Sequence, residues 1–190
     1  RSSTPIPRPN WPNSKHPMPP LPELHIRALD ENNLDAYKAL RDHALAHHEE
    51  AFTSDAASEA TRTAHSYRAR LGCDGSGDGG FTLGAWRGDR LVGAVTCERD
   101  PRSKVRHVGH VIGTMVAKDQ QGQGVGRALL DALIARASDD DELHQLTLSV
   151  TAGNAAAVRL YESVGFTRYG TQPRAIRAGG RFLDKHLMQL

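Results

Sequence analysis

A chain of 190 residues is the size of one ordinary domain, or of one domain with a tail. Its 38% hydrophobic and 24% charged side chains exclude a wholly disordered chain, and no apolar run approaches the ~18–20 residues of a membrane span. The formal net charge of +2 owes much to Arg1, Arg8 and Lys15; residues 23–190 carry 21 basic against 22 acidic side chains, which argues against a nucleic-acid binder.

Eight of the ten prolines fall within residues 1–22, and no glycine precedes Gly72. Proline lacks the amide donor and fixes φ, so residues 1–22 read as an extended, disordered leader ahead of a domain over 23–190. Leu24, Ile26 and Leu29 mark a first strand, with Asp30 placed to cap the next helix. Leu34, Tyr37, Leu40, Ala44 and Leu45 recur at helical spacing and predict a helix over 31–50. A weaker helix is expected over 56–71, then a glycine loop over 72–80. Strands 81–87 and 90–98 flank Gly88-Asp89, a two-residue hairpin signal. A long strand over 105–117, a helix over 125–137, a strand over 143–150 and a helix over 154–164 follow. Gly165 stops that helix, and strands 166–176 and 182–189 close the chain as a hairpin around Gly179-Gly180. The expected fold class is α/β (α+β): a mixed, mostly antiparallel central sheet of about seven strands with helices on both faces.

Chemistry gathers in two segments. Between the strand over 105–117 and the helix over 125–137 stand Gly122, Gly124 and Gly126. Such a loop turns backbone N–H groups toward an anion, and the following helix N-terminus adds a favourable dipole. It is neither GxGxxG nor a Walker loop, because Arg127 stands where a third glycine would fall and no lysine-serine pair follows. Further on, Asn154 opens a helix and Tyr161 lies seven residues later, nearly two turns on and on the same face. Singly, these read as a cap and a core aromatic.

Together they resemble the GNAT superfamily of acyl-CoA-dependent N-acyltransferases. Gln121-Gly122-Gln123-Gly124-Val125-Gly126 matches the Gln/Arg-x-x-Gly-x-Gly/Ala loop. The segment from Asn154 to Phe166 matches the second motif, an asparagine, an alanine-rich helix and Leu-Tyr-x-x-x-Gly-Phe. The resemblance implies acetyl-CoA as co-substrate, with no metal. It places the backbone of Met115 and Val116 along the pantetheine arm, and Gln121 to Gly126 with the Arg127 amide around the pyrophosphate. Asn154 would touch the pantetheine, and the Tyr161 hydroxyl would protonate the departing thiolate. A base is less fixed: the position used by histone-type members is His110, that used by N-terminal peptide acetylases is Ser149, and Glu98 and His107 are reserves. By the same resemblance, the end of the first helix and residues 50–72 line the acceptor mouth.

The expected activity is transfer of acetyl to an amine, of a small molecule before that of a protein, by a monomer or homodimer in the cytoplasm, away from membranes. The rival is a non-catalytic acyl-CoA-binding module, which would not need Tyr161. A weaker rival is an interaction protein acting through the leader. His43 and His47 have a metal-like spacing but no clear third ligand. Cys73 and Cys97 do not form a disulfide framework, which fits a reducing compartment.

Overall fold

Seven strands form one sheet: β1 (Leu24–Ala28), β2 (Phe81–Arg87), β3 (Arg90–Arg99), β4 (Val108–Val116), β5 (Gln145–Thr151), β6 (Thr167–Ala178) and β7 (Arg181–Gln189), ordered β1-β2-β3-β4-β5-β7-β6. This computed structural model describes residues 22–75 and 79–190. The leader expected over 1–22 therefore lies outside the described residues except for Pro22. Every strand pair is antiparallel except β4–β5, which is parallel and joins only Val108–His110 to Gln145–Thr147.

Alternation along the strands feeds two cores. Leu83 and Ala85 of β2, Val92 and Val95 of β3 and Val111 of β4 face helix α3 (Val125–Ser138), whose Leu129, Leu130 and Leu133 are fully buried. Helix α4 (Ala155–Ser163) adds Tyr161 to the same core. Leu91, Ala94 and Met115 face the other way, toward Tyr37, Leu40 and Ala44 of helix α1 (Leu34–His47). The expected fold class stands, with helices on both faces.

Two boundaries move for local reasons. Residues 31–33 form a 3-10 turn ahead of α1, closed by a reciprocal cap in which Asp30 accepts from the Asn32 amide and Asn33 accepts from the Asp30 amide. The helix expected over 56–71 breaks after α2 (Ala56–Ala60): the Thr61 hydroxyl bonds back to the Ser58 carbonyl at 2.8 Å, and Thr63 is extended before a 3-10 turn at Ala64–Tyr67.

A buried ion pair ties this broken segment to α1. Arg41 Nε donates to Glu59 Oε2 at 2.7 Å and its Nη2 to Ser54 Oγ at 2.9 Å. The Tyr67 hydroxyl also donates to Glu59 Oε2, at 2.8 Å. Burial alone would raise the Glu59 pKa, but the hydrogen bonds from Arg41 and Tyr67 and the charges of Arg41 and Arg62 outweigh it and lower the value to about 2. The folded value lies below the ordinary 4.5, so this stabilisation is present above that pH and is lost as pH falls toward about 2. Glu59→Gln strands the Arg41 charge in the interior and should cost about 3–5 kcal/mol of unfolding free energy. Urea titrations across pH 2–5 should also show a flatter acid limb in the variant than in wild type.

Candidate functional site

The cleft begins where two strands part. After His110 and Thr147 no register pairs β4 with β5, while β4 stays bonded to β3 on its other edge. A bulge accompanies the parting: Ala94 pairs with Met115 and Thr96 with Ile112, so Val95 alone faces Gly113 and Thr114. Gly113 has φ of 60°, a backbone that any side chain would strain by about 1–2 kcal/mol. The bulge reverses the facing of the strand, so Met115 points toward α1 although Val111 points toward α3. The result is a stretch of β4 whose edge toward β5 lacks a strand partner.

Beyond β4, a 3-10 turn at Lys118–Gln120 leads into the glycine loop and α3. Its side chains are tied back. Arg90 grips Asp119 with two bonds of 2.6 and 2.9 Å, which hold that carboxyl well below the ordinary carboxylate range. Gln123 Nε2 donates to the Asp119 carbonyl at 2.8 Å, and Gln121 Nε2 lies 3.2 Å from both the Val116 carbonyl and His48 Nε2. What the loop leaves free is backbone. Gly122 and Gly124 have φ of 73° and 78°, and a Cβ on either would stand in open space. No side chain caps α3, so its first amides face the cleft with their donors uncommitted.

Across the cleft, Asn154 caps α4 by accepting from the Ala157 amide at 3.1 Å through Oδ1, leaving Nδ2 to donate elsewhere. Tyr161 stands edge-on to Phe166, 6.1 Å between ring centroids, at 9% exposure. Burial raises its pKa above that of an ordinary phenol. Thr114 Oγ1 and Gln120 Oε1 are buried without a hydrogen-bond partner among the described residues, and both residues line the cleft. Orphaned polar atoms beside open glycine amides suit a polar, phosphate-bearing ligand with an amide-rich arm, as acetyl-CoA is.

The cleft has a volume of ≈ 530 Å³. It brings together Met115, Val116, Gln121, Gly122, Gly124, Val125, Gly126, Arg127, Asn154 and Tyr161. Gln123 turns its side chain out of the lining, and His110 stands apart on the sheet face that carries α1, with Nδ1 2.8 Å from Thr147 Oγ1. Glu98 faces His110 in register and meets Arg70 at 3.6 Å; Ser149 lies exposed on the same face, and His107 sits beyond the start of β4, 6.5 Å from the ring of His144. His43 and His47 stack on each other at 4.1 Å, and no group of three potential ligands gathers among the described residues. Sequence reasoning missed Thr114 and the bulge. Gly113 was the available signal, a lone glycine inside a strand pattern.

The description Acetyltransferase (GNAT) family matches residues 37–166. An L-methionine sulfoximine/L-methionine sulfone acetyltransferase of Pseudomonas aeruginosa is 41% identical over 75 residues, 40% of this chain and 43% of that protein. A mycothiol acetyltransferase of Salinispora arenicola is 32% identical over 155 residues, 80% of this chain and 48% of its own. The chain thus spans less than half the length of either relative. Among solved structures, a GNAT acetyltransferase of Streptococcus pneumoniae superposes with a TM-score of 0.80 at 28% identity, covering 88% of this chain and 99% of that one. The yncA protein of Salmonella typhimurium, solved with acetyl-CoA, gives a TM-score of 0.73 at 26% identity, covering 88% and 93%.

If the loop amides form the grip, Gly124→Val should stay folded, since its side chain enters open space, yet lose at least ~10-fold in acetyl-CoA affinity. The branched residue resists the required φ and crowds the amides. Calorimetry on the folded variant checks this, and an unchanged affinity would place the grip elsewhere.

Proposed function

The chain belongs to the acetyltransferase (GNAT) family, and from that premise we propose that it is an N-acetyltransferase, passing acetyl from acetyl-CoA to a small-molecule amine within a ternary complex. The observation that carries this reading is the meeting, in one cleft, of an unpaired strand edge, an amide-lined glycine loop and the buried Tyr161 hydroxyl. When bound, acetyl-CoA supplies an activated acetyl thioester. The chain's own groups do the rest.

Met115 and Val116 extend their backbone along the arm as a neighbouring strand would. The amides from Gln121 to Arg127 hold the pyrophosphate, and Asn154 Nδ2 donates to the arm. This fixes the thioester beside the acceptor and makes proximity the main source of rate. Tyr161, neutral because burial raises its pKa, carries the proton that the departing sulfur takes. His110 is the proposed base: with Nδ1–H donating to Thr147, Nε2 keeps a lone pair for the amine's proton, taken directly or through a water. The attack is direct, so no acyl-enzyme nucleophile is required.

A small-molecule acceptor is supported by the relatives' names, which specify methionine sulfoximine, mycothiol and, for an Escherichia coli protein, L-amino acids. No helix among the described residues is long and apolar enough to cross a membrane, and Cys73 and Cys97 are both free thiols. A reducing, cytoplasmic setting is the reading we attach to them.

Tyr161→Phe removes only a hydroxyl, so acetyl-CoA affinity should hold while kcat falls roughly 10–10³-fold. Steady-state rates beside a binding titration separate the cases: full kcat would make Tyr161 a packing residue, and lost affinity would make it a ligand contact. His110→Ala should lower kcat without moving acetyl-CoA affinity. Thr147→Val should reproduce part of that loss, because the imidazole then loses the bond that sets its tautomer.

A further inference from the structure

Lys185 occupies the middle of β7, opposite Thr151 of β5 and Gln172 of β6. Met188, three residues along β7, its partner Leu148 and the Val150 that precedes Thr151 belong to the α3 core, so Lys185 and its partner Thr151 project from the other face. That is the face of His110, Thr147 and Ser149. Along β5, Thr147 beside His110 and Thr151 beside Lys185 are four residues apart, about 13 Å at strand rise, with Ser149 between them.

The ammonium group donates to Thr53 Oγ1 at 2.7 Å, and Thr53 adjoins Phe52, which lines the cleft. Lys185 is half-buried, and burial alone depresses its pKa. No acidic side chain among the described residues forms an ion pair with it. Arg181, on the same strand, is by contrast held by Glu50 at 2.5 Å. A partly desolvated ammonium with one neutral hydroxyl partner is under-compensated, since a long lysine stem could otherwise carry the charge out to water. The fold instead holds it on Thr53, next to the cleft-lining Phe52.

We propose that Lys185 determines acceptor specificity by receiving a carboxylate carried on the substrate, so that the acceptor is a zwitterionic, amino-acid-like amine and not a polyamine. This rests on the acetyltransferase reading and adds to it the anionic half of the substrate. Lysine binds such a group as a point charge, with the Thr53 hydroxyl beside it.

The test compares each active amino acid with its own primary amide, which keeps the amine and removes the carboxylate's charge. Wild type should prefer the acid, and Lys185→Met should raise its KM about 10–100-fold while leaving the amide's kinetics and the acetyl-CoA KM unchanged. Lys185→Arg should recover part of the preference. Comparing the acid-to-amide ratio between variants cancels the differing reactivity of the two amines, and thermal melts confirm that each variant is folded. Equal use of acid and amide by wild type overturns the proposal while acetyl transfer stands. So does a Lys185→Met variant that loses both substrates equally, which would make the lysine a tie between β7 and the Thr53 segment. A wild type that releases no thiol from acetyl-CoA with any amine removes the acetyltransferase reading, and the Lys185 proposal with it.

Discussion

Everything in the molecule turns on a backbone accounting problem. A strand edge inside a folded domain carries amide and carbonyl groups that want partners, and β4 gives up those partners on one side after His110. The bulge at Gly113 bends the strand and reverses its facing, and the glycine loop follows a few residues later. The bulge also turns Met115 into the core beneath α1, but the two features share a second effect. Both present backbone polar groups to the same space, and the buried Thr114 and Gln120 oxygens face it without partners. Local rules that a stable sheet would obey are broken together at one place, as expected of a binding site.

The two faces of the sheet divide the labour. On the α3 side the packing is dense and apolar, with Leu129, Leu130 and Leu133 fully buried. That rigidity fixes the helix N-terminus against the loop. On the α1 side the covering segment is short and broken, and the polar knot of Arg41, Glu59, Ser54 and Tyr67 holds it in addition to the apolar packing of Tyr67 and Leu71. A wall built from hydrogen bonds has a specific shape at modest cost in apolar area. It can also differ in sequence from one relative to another without disturbing the opposite core.

Most of the fold was legible because hydrophobic period and glycine punctuation agree along this chain. Gly88-Asp89 located the first hairpin, the leucines of 129–133 located α3, and Asn154 with Gly165 bracketed α4. The glycine-lined side of the cleft was legible for the same reason: it consists of backbone geometry, and glycines announce backbone geometry. The facing of Lys185 was not. Which face Lys185 takes depends on its register with Thr151 and on the irregular pairing of β6 with β7, neither of which local sequence encodes. The break after Ala60 escaped because Thr61 and Thr63 compete for backbone bonds in a way that helical periodicity does not register.

The three-residue seam between β4 and β5 bears on the whole chain's thermodynamics. Strands β1 to β4 form one antiparallel ladder and β5, β7 and β6 a second, joined by that seam and by the shared core beneath α3. The cleft exists only once the halves have docked. A molecule lodged there spans both, and its binding energy adds to the cohesion of the entire domain in proportion to RT ln(1 + [L]/Kd). Abundance of the folded protein is therefore coupled to the concentration of its own ligand: the seam that admits the ligand is also where its binding protects the chain from unfolding and proteolysis.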